Sequence, residues 1–125
     1  MGLLKDIKTL LTSESNIYIG DMPDTPNNLC CLYNTGGFDS RHSLGSSTAT
    51  YDEPTFQIRI RDSSYSSGVT RCEAIMKALD GKTNQTINSK KYITIFKMGD
   101  INGLGKDSKN RSEFTLNFRA RVKRI

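Results

Sequence analysis

Apolar residues recur at helical spacing at the start of the chain. Leu3, Leu4, Ile7, Leu10 and Leu11 share one face, with Lys5, Lys8 and Thr9 away from it. The spacing predicts a short amphipathic helix ending near Ser13. "NIYIG" follows as a short strand closed by Gly20. "DMPDTPNN" reads as a turn region, because two prolines, two Asp and two Asn oppose regular structure. "LCCLYN" is a compact run of strand formers in which both faces carry apolar side chains, so it predicts a strand buried on both sides. "TGGFDSRHSLGSSTATYDEP" has no period and is rich in Gly, Ser and Thr. It predicts a long structureless loop, of the kind that is functional or disordered in compact domains. Thr35–Asp52 is expected to be mobile in the free protein and to order on docking.

The period then turns regular. In "TFQIRIRD", Phe56, Ile58 and Ile60 face one way, and Gln57, Arg59 and Arg61 the other, as in a half-buried strand. Asp62, Ser63 or Ser64 can cap a helix whose stripe is Val69, Cys72, Ile75, Met76 and Leu79, with Gly81 as its stop. "QTINSKKYITIFKM" predicts a hairpin turning near Asn88–Ser89, with its longer strand from Tyr92 to Met98. A loop from Gly99 to Arg111 leads to a last strand, Glu113 to about Lys123. There Phe114, Leu116, Phe118, Ala120 and Val122 face the core, and Glu113, Thr115, Asn117, Arg119, Arg121 and Lys123 face water. The order predicts an α+β fold in two layers, a mainly antiparallel or mixed sheet with two helices on one face.

Bulk composition adds limits. The chain has 125 residues and reads as one domain, 1–125, with ordinary hydrophobic and charged content. Its formal net charge of +5 admits an anionic partner, but also a plain mixed surface. The opening stretch has charges within its apolar pattern and predicts no secretory leader, and no run approaches the length of a membrane span, so no membrane partner is expected. Cys30, Cys31 and Cys72 are odd in number and lack CxxC spacing, and His42 is the sole imidazole, so neither a disulfide framework nor a metal or other cofactor is expected.

The motif search is equally restrictive. "NGLGKDSKNR" is not a phosphate loop: the position five before Gly105 is Asp100, the residue after Lys106 is Asp107, and a strand rather than a helix follows. It reads as a flexible inter-strand loop. No nucleophile–base pairing or carboxylate pair stands out, so no catalytic residue is assigned and no enzyme is expected. The basic face of Arg59, Arg61, Arg119, Arg121 and Lys123 would suit phosphates. A single-strand binder would want aromatics on that same face, and here Phe56, Phe114 and Phe118 lie opposite. Carboxylates from another subunit or a partner would also suit these cations, so a subunit interface or a pore wall is a further reading.

The ordered stretches "YIGDMPDTPNNLCCLYNTGGFDSRHSL", "YDEPTFQIRIRDSSYSSGVTRCEAIMKALDG" and "YITIFKMGDINGLGKDSKNRSEFTLNFRARV" resemble the minor capsid or tail terminator proteins of long-tailed bacteriophages over about Leu3–Val122. Gly20, Pro23, Gly36, Gly37, Pro54, Phe56, Arg59, Arg61, Tyr65, Gly105, Asp107, Arg111, Phe114 and Phe118 match the pattern, and Ser66 and Ser67 depart from it. The resemblance implies a structural virion protein without cofactor, assembled in the host cytoplasm. Six copies would form a ring that caps the tail tube, meets the tail tube protein and the head completion or connector protein, and lets genomic DNA pass without sequence-specific binding. Under it, Arg59, Arg61, Arg119, Arg121 and Lys123 are expected at an interface or the lumen. Phe38, Arg41, His42, Leu44, Leu104, Lys106, Asp107, Lys109 and Arg111 are expected on docking loops. The alternatives are a small basic DNA-binding protein using the cationic sheet face, a head completion protein, or a tail tube subunit.

Overall fold

The computed structural model describes residues 3–11, 14–42 and 49–124; side chains are described outside 38–42, 49–51 and 124. In chain order the elements are α1 (Leu3–Leu10), β1 (Ile17–Ile19), β2 (Leu29–His42), β3 (Ala49–Asp62), α2 (Tyr65–Leu79), β4 (Lys82–Ile87), β5 (Lys90–Lys97), β6 (Asn102–Lys106) and β7 (Ser112–Arg124). The strands form one mixed sheet in the order β1-β2-β3-β7-β5-β4, with β6 beside the first part of β7. β1 and β2 run parallel, and the other strand pairs among the described residues are antiparallel. The α+β, two-layer expectation holds.

Period-two patterning places the core. Register sets Ile60 opposite Phe114, Ile58 opposite Leu116 and Phe56 opposite Phe118, and directly opposed residues share a sheet face. All six are buried, together with Cys30 and Leu32 of β2 and Tyr92 and Ile95 of β5. Helix α2 covers this face with Cys72, Ile75 and Leu79. Its N-cap is Ser64, whose side chain accepts from the Ser67 amide, and Asp80 closes the other end. Gly68 lets α2 lie directly on β7, because a Cβ there would meet the Phe114 ring at 2.4 Å.

Helix α1 supplies Leu4 and Ile7 to the same core, and Leu11 follows just after it. The helix also buries Asp6 completely. That carboxylate accepts hydrogen bonds from the Tyr92 hydroxyl and from Asn88 Nδ2 at 2.7 Å, and pairs with Lys90 Nζ at 2.7 Å. The N-terminal helix is thereby fastened to the β4–β5 hairpin. Asn88 and Ser89, at φ 51° and 61°, form the two-residue turn of that hairpin where the sequence placed it.

Two expectations about loops change. Residues 35–42 and 49–52 are not structureless: they continue β2 and β3 as a long hairpin. The hairpin tolerates an aperiodic sequence because its register shifts between Asn34 and Gly37 and again beyond Phe38, which breaks the simple alternation. Gly37, at φ 151°, runs so close to β3 that a Cβ would lie 2.6 Å from the Glu53 carbonyl oxygen. Likewise the Gly99–Arg111 loop contains a strand, since Asn102–Lys106 pairs with Ser112–Thr115.

Candidate assembly interface

The sheet face away from the helices carries the cations. Across β2, β3 and β7, register groups Cys31, Arg59 and Thr115, then Tyr33, Gln57 and Asn117. Farther along, Thr55 and Phe96 flank Arg119, Thr94 lies opposite Arg121, and Lys91 opposite Lys123. Arg59, Arg119, Arg121 and Lys123 therefore do share one face, as the alternation predicted. It is not uniformly wet, for Cys31, Thr55 and Thr115 are buried in it.

Each cation has its own setting. The Arg119 guanidinium carbon lies 4.5 Å from the Phe96 ring centroid, in cation–π contact. Arg121 Nε donates to Glu53 Oε1 at 3.1 Å, and Glu53 is only 2% exposed. Lys123 is exposed. Arg59 Nε is buried with no hydrogen-bond partner among the described residues. It borders a shallow hollow of about 290 Å³ lined also by Tyr33, Asn34, Thr35 and Gln57. Gln57 Nε2 donates to Asn117 Oδ1 at 3.2 Å. Burial pushes the Tyr33 hydroxyl up to about 12, so it stays a neutral donor there.

Arg61, expected at an interface or the lumen, and Arg111, expected on a docking loop, both turn inward. Arg61 is 3% exposed. Its Nη2 donates to the Pro23 and Pro26 carbonyls at 2.7 and 2.8 Å, and its Nε to the Asn27 carbonyl at 3.4 Å. The proline-rich turn before β2 leaves carbonyls without strand partners, and one guanidinium fork satisfies three of them. Arg111, 5% exposed, pairs with Asp107 Oδ2 at 2.8 Å and with Asp24 Oδ1 at 3.1 Å, and donates to the Asp24 carbonyl at 2.6 Å. Asp107 also accepts the Arg111 and Lys109 amides, each at 2.9 Å. Those bonds, led by the Arg111 amide, hold its carboxyl below the usual carboxylate range. Lys109 pairs with Asp24.

Asp107, Lys109 and Arg111 therefore shape the loop from within. Leu104, at 44%, and Lys106 remain exposed on β6. Phe38, Arg41 and His42 lie on β2, but their side chains are outside the described set, and Leu44 lies outside the described residues. Sequence reasoning missed the Asp6 anchor and the Gly68 approach. Asp6 had left a signal, a carboxylate three residues from Leu3 and four from Leu10 on the apolar stripe.

Burial raises the Cys30 thiol to about 11 and Cys72 to about 12, which suppresses their thiolates. Among the described residues no group of three or more His, Cys, Asp or Glu could hold a metal ion. No described helix is long and apolar enough to cross a membrane.

The described residues thus form a layered α+β domain with buried clamps and a cationic sheet face. The comparisons with known proteins agree. The family model described as bacteriophage tail terminator protein matches residues 2–124, and the chain belongs to that family. No curated protein matches. Among solved structures, a chain of the "Virion of native gene transfer agent (GTA) particle" is similar in fold, with a TM-score of 0.71, 15% identity, and 97% of this chain and 94% of that chain covered. The protein is a structural component of a phage tail, located in the virion and assembled with other virion components.

Proposed function

We propose that this chain, acting as one domain over residues 1–125, closes into a ring of six copies that caps the tail tube and joins it to the head connector. The observation that carries the reading is the family match over nearly the whole chain. The surface supports it in kind. A head-to-tail ring needs two different patches on each copy. Leu104 on β6, beside β7, and Ile19 on β1, at the end of the sheet, are exposed apolar side chains on separate strands. The β2 edge beyond Tyr33 pairs only with β3 among the described residues, and so offers backbone groups to a neighbour. Assembly would take place in the host cytoplasm, with the tail tube protein on one side of the ring and the head completion protein on the other.

The test is the mass of the purified protein by light scattering, with negative-stain images of the same fractions, alone and with tail tubes added. The expected outcome is a closed ring, or a monomer that becomes a ring on tube ends. Open-ended polymers would instead assign a tail tube subunit. A monomer indifferent to tubes would overturn the proposal.

A further inference from the structure

We infer that the hollow over Arg59 binds a single carboxylate, and that Glu73 on α2 of a second copy of the chain supplies it. The source of the carboxylate rests on the ring reading; the site itself belongs to one copy. Arg59 lies on the outer sheet face between Cys31 of β2 and Thr115 of β7, both buried. Arg61, Arg71, Arg111 and Arg121 each have an oxygen acceptor. Arg59 is half-buried, its Nε is buried, and it makes no hydrogen bond or ion pair among the described residues. A guanidinium withdrawn from water without an acceptor is destabilising, and an incoming anion relieves it. Two features select a carboxylate. Tyr33 borders the hollow with a hydroxyl that burial keeps protonated, which adds a donor beside the guanidinium. The lining holds one cation, which matches the single charge and planar oxygen pair of a carboxylate. A phosphate group, at roughly −2, would be left under-neutralised there.

The chain's own acids narrow the source. Asp6 and Asp62 are buried, and Glu14, Asp24, Glu53 and Asp107 are ion-paired. Asp52 is engaged as well, and Asp80 and Asp100 accept the Lys97 and Ile101 amides. Asp39 lies on β2 with its side chain outside the described set. Asp21, Glu73 and Glu113 remain, with no hydrogen bond or ion pair among the described residues. Asp21 follows β1 and its charge acts on the Tyr33 hydroxyl, so it stands beside the hollow. Glu113 opposes Arg61, two positions along β3 from Arg59, and shares the same sheet face. Both belong to the hollow's own patch, whereas a head-to-tail contact joins two different patches. Glu73 is exposed in the middle of α2, in the layer on the other side of the sheet. Its exposed neighbours Ser66, Thr70 and Ala74 are short, so its carboxylate stands out from the helix surface. A projecting acid on one outer surface and a shallow cationic hollow on the opposite one are complementary in charge and shape.

The site is tested by NMR of the arginine Nε–Hε signals in the full Glu73→Gln chain, where no neighbour's Glu73 competes. Sodium acetate is added against sodium chloride and inorganic phosphate at equal ionic strength. Acetate should move the Arg59 signal saturably, phosphate no more tightly, and chloride not at all. A signal that acetate leaves in place, or that phosphate saturates about 10-fold more tightly, would overturn the site. A signal that acetate moves only once Asp21→Asn is added would make Asp21 of the same chain the occupant, and would overturn the inference too. The source is tested by sedimentation of Arg59→Gln, Glu73→Gln and the two combined, with tail tubes present if the free chain is monomeric. Each single change should weaken assembly about 10- to 100-fold, and the combination no more than either alone, since all three remove one contact. Arg59→Gln should keep the melting midpoint at or above the parent's, because it removes a cation that has no acceptor. Additive losses, or a Glu73→Gln chain that assembles like the parent, would overturn the Glu73 assignment. The same coupling found with Asp39→Asn in place of Glu73→Gln would overturn it as well. A parent chain that never assembles, with acetate still bound at Arg59, would remove the ring reading and Glu73 with it and leave the carboxylate site standing. Parent rings combined with no acetate response would sink the inference and leave the ring reading intact.

Discussion

Asp6 is the most informative residue to perturb. Its carboxylate is fully buried and holds α1 to the β4–β5 hairpin through Tyr92, Asn88 and Lys90. Asp6→Ala removes the acceptor from all three. The Tyr92 hydroxyl is left buried without its partner, at about 1–3 kcal/mol. The ammonium of Lys90, whose side chain is 19% exposed, recovers only part of its solvation. The sum is about 3–5 kcal/mol, in the range for breaking a buried pair from one side. Asp6→Asn keeps the shape and one acceptor and should cost about 1–3 kcal/mol. Urea unfolding at pH 7 measures both.

The pH dependence adds a sign. Burial alone would raise the Asp6 pKa, but hydrogen bonds from Lys90, Tyr92 and Asn88, with the charge of Lys90, outweigh it and leave the folded value below the usual 3.8. The stabilisation is therefore fully present above the unfolded value and is lost as pH falls through the lower folded one. The gap between parent and Asp6→Asn should stay constant from pH 7 to pH 5 and close below pH 4. A gap that is already absent at pH 7, or that does not change down to pH 2, would refute the charged-anchor account.

Three further expectations concern packing and clamping. Phe118→Ala should cost about 3–5 kcal/mol in chemical denaturation, since the ring is fully buried and stacked on Phe56 at 5.4 Å between centroids. Gly68→Ala should cost about 1–3 kcal/mol despite the better helix propensity of Ala, because the new Cβ would push on a Phe114 ring that Tyr65 holds from another side at 5.2 Å; equal or greater stability would show that the ring yields. Arg61→Met should leave the Pro23, Pro26 and Asn27 carbonyls short of a donor, destabilise by about 2–4 kcal/mol and open residues 20–28 to limited proteolysis ahead of global unfolding.

Alternation along 56–62 and 113–123 determined both strands, their core faces and their cationic faces, because a period of two converts directly into sides of a sheet. Helical spacing and local chemistry likewise determined α1, α2, the Ser64 cap and the Asn88–Ser89 turn. These are short-range matters, settled by neighbours within a few residues. The tertiary structure alone decided what depends on partners distant in sequence. Arg59 and Arg61 alternate alike, yet Arg61 turns into a clamp because the turn at residues 23–27 crosses its end of the strand. Arg111 looks like a loop cation until Asp24, 87 positions away, closes on it. The aperiodic stretch after Tyr33 becomes a hairpin because β3 lies beside it, with its register shifts absorbing what the pattern lacks. Asp6 becomes an anchor only because Tyr92, 86 positions on, is brought over α1. The periods in the chain can say which side of an element is apolar; which polar side chain is claimed by the fold, and which is left for a partner, depends on long-range geometry that no local window contains.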